Sequence, residues 1–142
     1  MRQLERYEEA EKEFREAIRI NPEYAEAHNN LGILLNDLKR YEEAEREYGE
    51  AIRLKPEDAE PHINLGSLLA ELKRYGRAEK EFREAIRINP EYAEAHANLG
   101  FLYSQQRKIT DARKELKIAH ELFLKQNRFD DAVKVLNLIT NL

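Results

Sequence analysis

The sequence predicts an all-α fold, a right-handed superhelical solenoid of antiparallel helix pairs that repeats every 34 residues. The first observation is the stretch AEKEFREAIRINPEYAEAH, which runs from Ala10 to His28 and recurs unchanged from Ala78 to His96, 68 residues later. The second is a looser copy halfway between them, from Ala44 to His62. A fixed period of this length is typical of stacked helical repeats, in which each unit needs its neighbours to bury a core.

Composition and charge limit the classes of function. Hydrophobic residues make up 42% of the 142 residues and charged residues 37%, which suits a folded helical protein rather than a disordered one. The formal net charge of −4 provides no basic excess for nucleic acid. No apolar run approaches the roughly 20 residues that cross a bilayer, and the start lacks the apolar segment of a signal peptide. We therefore expect a soluble, cytoplasmic protein with no nucleic-acid or membrane partner.

The first half of each period predicts a helix whose core face contains a glycine. In the unit 25–58, this face carries His28, Leu31, Gly32, Leu35 and Leu38. The glycine recurs as Gly66 and Gly100, although a glycine inside a helix costs about 1 kcal/mol relative to alanine. We therefore predict that another helix approaches closely at these three positions.

The second half predicts a helix that ends before a proline. Its core face carries Tyr41, Ala44, Tyr48, Ala51 and Ile52. The residue before Pro56 is disfavoured in the helical region, so Lys55 ends this helix. Phe82 and Leu116 replace Tyr48 in the next two periods and are expected to fill the space that the glycines leave.

We expect a single array over residues 1–142. Residues 1–24 hold a partial repeat that contains only a second helix, roughly Arg6 to Ile20. The complete repeats are residues 25–58, 59–92 and 93–126, of which the last has an extended second helix. Residues 127–142 form a C-terminal apolar helix.

This pattern resembles the tetratricopeptide repeat (TPR) family over nearly the whole chain. The residues that carry the resemblance are Leu31-Gly32, Leu35, Ala44, Tyr48, Ala51 and Pro56, with their counterparts in the next two units. The sequence departs from the family at His28, His62 and His96, where tryptophan is usual, and at Leu35 and Leu69, where tyrosine is frequent. The resemblance implies a non-catalytic protein-interaction module.

The sequence contains no nucleophile elbow, phosphate-binding loop or metalloprotease helix motif. The three histidines 34 residues apart would lie on successive first helices, with axes about 8–10 Å apart, too far for two ligands of one zinc ion. We expect them to pack with a hydrogen-bonded ring nitrogen. We therefore predict no enzyme activity, no catalytic residues, no metal and no cofactor.

Three asparagines form the strongest candidate for a binding site. Asn30, Asn64 and Asn98 precede each Leu-Gly pair just off the core face, where a middling helix former needs a reason to recur. An amide donates and accepts hydrogen bonds, so this asparagine ladder could hold the main chain of an extended peptide. Repeat duplication and a helix-to-helix hydrogen bond are the alternatives. The family resemblance implies that this slot lines a concave groove.

Flanking residues on the same helices indicate the chemistry of the partner. Five carboxylates are expected in the groove, with no cation among them: Glu26, Glu60, Glu94, Asp37 and Glu71. Apolar anchors would pack against Ile33, Ile63 or Phe101. The carboxylates disfavour the clamp of lysine, arginine and asparagine by which some TPR domains bind chaperone carboxylates. We expect a neutral or basic protein or peptide partner with an apolar anchor.

The two ends suggest a second class of function. Tyr7 and Phe14 at the start, and Val135, Leu138 and Leu142 at the end, are apolar residues for which the repeat pattern provides no cover. They are candidates for self-association into homo-oligomers or stacks through the terminal helices. A third alternative is a substrate-recruiting arm of a larger enzyme or complex, and the chain could also be a fragment of a longer array.

Overall fold

The computed structural model describes residues 2–142, which form eight α-helices and no β-strand. The helices are α1 (Arg2–Ile20), α2 (Ala25–Asp37), α3 (Tyr41–Leu54), α4 (Ala59–Glu71), α5 (Tyr75–Ile88), α6 (Ala93–Gln105), α7 (Ile109–Lys125) and α8 (Phe129–Thr140). Each helix packs against its neighbours along the chain, which confirms the predicted all-α solenoid. None of these helices is both long enough and apolar enough to span a membrane.

Helix α1 begins at Arg2, four residues before the predicted start at Arg6. Its residues 4–6 occupy the positions of the turn residues 38–40 in the next period, yet they are helical. Arginine, glutamine, leucine and glutamate are good helix formers, and Gln3 Nε2 donates to the Tyr7 hydroxyl at 3.1 Å. Local propensity therefore decides the conformation where no paired helix among residues 2–142 imposes a turn.

The tight turns share one backbone conformation. One residue in each turn has a φ of 60° or 61°, the left-handed conformation in which helices commonly end: Lys39, Lys73, Arg107 and Asn127. The next N–H donates to a carbonyl five residues earlier, as from Arg40 to Leu35 at 2.8 Å. The turn between α7 and α8 has the same geometry as the three turns inside the helix pairs, so α7 pairs with α8 in the same way.

The helices form two layers. Helix α2 contacts α4 directly and α4 contacts α6, so these first helices lie side by side on the inner face. Helices α3 and α5 each pack between two first helices on the outer side. The inner face of α2, α4 and α6 is the surface that we call the concave groove.

The three mid-helix glycines are the closest contact points within the pairs. A β-carbon on Gly32 would lie 2.6 Å from Tyr48 Cε1, and one on Gly66 would lie 2.7 Å from Phe82 Cε1. The same contact at Gly100 involves Leu116 Cγ at 2.7 Å. The predicted close approach is therefore confirmed, and it allows the large side chains of the second helices to be fully buried.

Two of the three buried histidines, His28 and His96, each join three segments, whereas His62 Nδ1 lies 2.7 Å from Glu81 and its Nε2 has no hydrogen-bond partner among residues 2–142. His96 Nδ1 lies 2.8 Å from Glu115 on α7, and its Nε2 lies 2.9 Å from the Pro90 carbonyl in the preceding turn. Carboxylate and carbonyl oxygens only accept hydrogen bonds, so both ring nitrogens of His96 must donate. His28 repeats the arrangement with Glu47 and Pro22.

The pKa values of two of these histidines are raised. Burial by itself lowers the pKa of His62, but the hydrogen bond and charge of Glu81 and the Pro56 carbonyl outweigh it. Burial opposes protonation of His96 in the same way and is outweighed by Glu115 and the Pro90 carbonyl, so its pKa also rises. The positively charged forms of the His62 and His96 rings are therefore the ones that stabilise the contacts of these histidines with the neighbouring segments.

Helix α8 corrects part of the self-association prediction. Val135 is only 4% exposed because it packs in an apolar cluster with Phe123 and Ala132. Leu142, Phe14 and Tyr7 are half-buried, and Leu138 is exposed. The apolar residues that α8 leaves in solvent on one face are Phe129, Val133 and Leu136.

The glycine contacts lead to a matched stability prediction. Gly66→Ala should destabilise the protein by about 1–3 kcal/mol, because its β-carbon would collide with the buried Phe82 ring. Gly49→Ala is the control, since nothing lies within 4 Å of the added atom, and it should stabilise α3 by about 0.5–1 kcal/mol. Urea unfolding followed by circular dichroism measures both, and equal effects of the two substitutions would contradict the packing role.

The histidine joints lead to a pH prediction. A raised folded-state pKa gives a stability contribution that is complete below the unfolded value of about 6.5 and is lost as the pH rises through the folded value. We therefore expect the urea midpoint to fall as the pH rises above about 6.5, because the folded-state pKa values of His62 and His96 are raised. The fall should be smaller in the double variant His62→Gln, His96→Gln. A midpoint that is as pH-dependent in the variant as in the parent would refute this origin.

Candidate functional site

The three asparagines of the predicted ladder lie on successive first helices, but they have different surroundings. Asn30, Asn64 and Asn98 are all half-buried on the first helices α2, α4 and α6. Asn64 Nδ2 donates to Asn29 Oδ1 on the preceding first helix at 3.0 Å. Within residues 2–142, the side chains of Asn30 and Asn98 form no such bond.

The alternative explanation for the recurring asparagines, a hydrogen bond between helices, therefore applies to Asn64. Asn29 is buried because its slot faces the next first helix. Ile63 occupies the same slot 34 residues later, and its side chain has no acceptor for the amide of Asn98. Among residues 2–142 the amide of Asn98 thus has no hydrogen-bond partner, whereas one donor of Asn64 is already used.

The position shared by Asn29 and Ile63 also shows that one of the three predicted apolar anchors is wrong. Ile63 is 7% exposed and belongs to the main hydrophobic core, so it is not accessible to a partner. Ile33 and Phe101 are exposed, at 36% and 47%, one turn away from their asparagines. Sequence spacing alone placed all three on the groove, but residue 63 points sideways between α4 and its neighbours in the core.

A cleft opens in the groove between α4 and α6. Its volume is about 200 Å³, and its apolar walls and floor include Ala70, Phe82, Phe101 and Leu102. Polar groups also line it, namely Ser67, Glu71, Asn98 and Gln105. The cleft thus brings together three residues predicted for the site, namely Glu71, Asn98 and Phe101.

Four of the five predicted groove carboxylates are exposed and unpaired. Within residues 2–142, no ion pair involves Glu26, Asp37, Glu60 or Glu71. These carboxylates do not gather into a metal site, because no group of three or more such ligands is close enough anywhere in the described range. They give the groove a negative potential that its own helices do not neutralise.

Glu94, the fifth predicted carboxylate, is paired with an arginine. The expectation that the groove contains no cation is therefore wrong. Arg128 Nη1 lies 2.8 Å from Glu94 Oε1. Arg128 comes from the turn before α8, where it also stacks over the Phe123 ring at 4.8 Å and binds Asp131. Arg128 was not predicted for the site because it lies outside the first helices in the sequence. It reaches the edge of the groove only because α8 folds back.

The pKa of the Tyr48 hydroxyl is a second sign of negative charge from the groove carboxylates. Burial raises the pKa of the Tyr48 hydroxyl, and the negative charges of Asp37 and Glu71 raise it further. Both carboxylates therefore act on one hydroxyl at the floor between α2 and α4.

Comparisons with solved structures agree with this architecture. The TPR2B domain in the pHsp70 complex of yeast Sti1 has a TM-score of 0.78 and 22% identity, over 82% of this chain and 93% of that one. MamA has a TM-score of 0.75 and 19% identity, over 99% and 90%. The pilF structure of Pseudomonas aeruginosa has a TM-score of 0.70 and 24% identity, over 87% and 63%. At these identities the likeness establishes the fold alone.

The family assignment comes from the sequence itself. No protein with a curated function matches the chain. A family model described as tetratricopeptide repeat matches residues 2–59, and a second one, described as TPR repeat, matches residues 66–106. The two matches span more than two thirds of the sequence and agree with the paired helices and the glycine contacts described above. The chain therefore belongs to the tetratricopeptide repeat family.

Proposed function

We propose that this protein is a non-catalytic interaction scaffold that binds an extended peptide segment of a partner protein in its concave groove. Membership in the family supports the general scaffold role. The observation that carries the proposal is the cleft between α4 and α6, where the unpaired amide of Asn98 lies beside the exposed ring of Phe101.

An extended main chain suits this groove. The half-buried asparagines recur on successive first helices, so a segment that crosses α2, α4 and α6 would meet one amide on each helix. Each amide can donate to a peptide carbonyl and accept from a peptide N–H, whatever the peptide side chains are. Asn30 and Asn98 would bind more strongly than Asn64, because Asn64 already donates to Asn29.

The charge of the groove favours a neutral or basic partner. Four unpaired carboxylates would repel an acidic segment and attract a basic one. Ile33 and Phe101 offer apolar contacts that a neutral side chain can cover. The solved Sti1 domain is a complex with pHsp70, which supports partner binding by this fold but concerns that protein.

Replacement of Asn98 tests the groove. Peptides selected from a random nine-residue display library on the parent protein should bind Asn98→Ala about 1–2 kcal/mol more weakly, since one hydrogen-bonding partner is lost. Asn137→Ala on the exposed surface of α8 is the matched control and should bind like the parent. Fluorescence anisotropy measures the affinities. Equal affinity for both variants, with the fold intact, would argue against the groove.

Self-association is the second candidate function, and α8 is the observation that favours it. Phe129, Val133 and Leu136 lie at helical spacing on one face of α8 and are 47% or more exposed. Such a stripe on a terminal helix suits docking against another helix.

The test of self-association is the oligomeric state. If α8 mediates assembly, light scattering should show a mass that rises with concentration in the parent and stays monomeric in the double variant Val133→Glu, Leu136→Glu. The substituted side chains are already in solvent, so circular dichroism should show an unchanged fold. A monomeric parent at all concentrations would remove this candidate.

A further inference from the structure

The cleft between α4 and α6 has the size and lining of a subsite for one long side chain. Its volume of about 200 Å³ is below the roughly 300–1,000 Å³ of sites that enclose a small-molecule ligand. The walls are the faces of Phe101, Ala70 and Leu102, which suit the aliphatic part of a side chain. Polar groups also line the cleft. A side chain that fills the cleft would therefore need a polar end beyond its aliphatic part.

Among the described residues, the one charged side chain that lines the cleft is negative and forms no ion pair. Glu71 lines the cleft and is exposed. Lys73, two residues farther along the turn, does not pair with it. Other glutamates are paired, as Glu84 is with Arg87 at 2.6 Å and Glu94 with Arg128 at 2.8 Å.

The position of Glu71 in its helix also disfavours a negative charge. Glu71 is the last residue of α4, and the last turn of that helix contains no basic residue. The carboxylate therefore faces the negative end of the helix dipole, and the next basic residues along the chain, Lys73 and Arg74, lie in the turn beyond the helix. Asp37 stands at the same place at the end of α2, and it acts with Glu71 on the Tyr48 hydroxyl. A cation supplied from outside would relieve both interactions.

The remaining groups of the cleft select among cations. Phe101 is 47% exposed and offers a ring face over which a guanidinium can stack. The side chains of Gln105 and Asn98 present amide oxygens that can accept from further N–H groups. A planar guanidinium is less strongly hydrated than an ammonium and can bind a carboxylate in two places. Arginine fits this set of groups better than lysine.

We propose that this cleft is a specificity subsite for an arginine of the bound peptide, with its guanidinium paired to Glu71 and stacked on Phe101. The inference rests on the proposed peptide-binding function and adds the residue that the partner must contain. The aliphatic part of the arginine lies against Ala70 and Leu102, and the peptide main chain passes Asn98. Glu71 and Phe101 thus determine which segments bind.

The experiment uses the full chain and a phage-displayed library of degenerate nine-residue peptides. Binders to the parent protein should be enriched in arginine at one position. Synthetic copies of a binder in which that arginine is replaced by citrulline, which keeps the shape without the charge, should bind roughly ten-fold more weakly or worse. A copy with glutamate at that position should not bind measurably.

Matched protein variants assign the effect to the cleft. Glu71→Gln should reduce affinity for the arginine peptide roughly ten-fold while it leaves affinity for the citrulline peptide unchanged. Glu42→Gln removes the same charge from an exposed site on α3 outside the groove and should change neither affinity. Phe101→Ala should weaken the arginine peptide, and circular dichroism verifies the fold of each variant.

The outcomes separate this inference from the function on which it rests. Binders that depend on Asn98 but show no arginine enrichment, or that bind Glu71→Gln as tightly as the parent, would overturn the arginine subsite and leave the groove function standing. A library that yields no binders on the parent would overturn both. Arginine enrichment that is lost in Glu71→Gln and kept in Glu42→Gln supports both.

Discussion

The contact between a mid-helix glycine and a large side chain of the paired helix is the constraint on which the structure depends. With no β-carbon at Gly32, Gly66 or Gly100, the rings of Tyr48 and Phe82 and the side chain of Leu116 lie directly on the first helices. The pairs can then stack closely enough for neighbouring first helices to touch. That spacing in turn sets the distance between equivalent groups on the groove, including the asparagines and the carboxylates.

The fold was predictable because each of its features is local and repeated. Helical periodicity, the small-residue slots and the prolines all recur at one spacing, so each repeat tests the interpretation of the others. The start of α1 was wrong by four residues because the expected turn depended on a paired helix. The left-handed turn residues carried no glycine signal, since lysine, arginine and asparagine occupy these positions.

The candidate site was predictable only in part, because side-chain direction and long-range contacts are not periodic. A helical wheel places Ile63 and Phe101 on neighbouring faces, yet one is buried between helices and the other is in solvent. Arg128 reaches Glu94 only because α8 folds back after a turn that interrupts the 34-residue period. The amides of the asparagine ladder look equivalent in sequence but differ in the structure, since Asn29 offers an oxygen where Ile63 does not.

The order of contacts along the solenoid has a mechanical consequence. Within residues 2–142, the main contacts of each helix are with helices one or two elements away, so the two ends of the described range are not packed together. Stretching, twisting or opening one helix pair therefore disturbs only its neighbours, and the chain should behave as an elastic element whose curvature responds to load. A partner that spans several first helices would make the array less elastic. Any tension applied to the two ends of the array would then be transmitted between them.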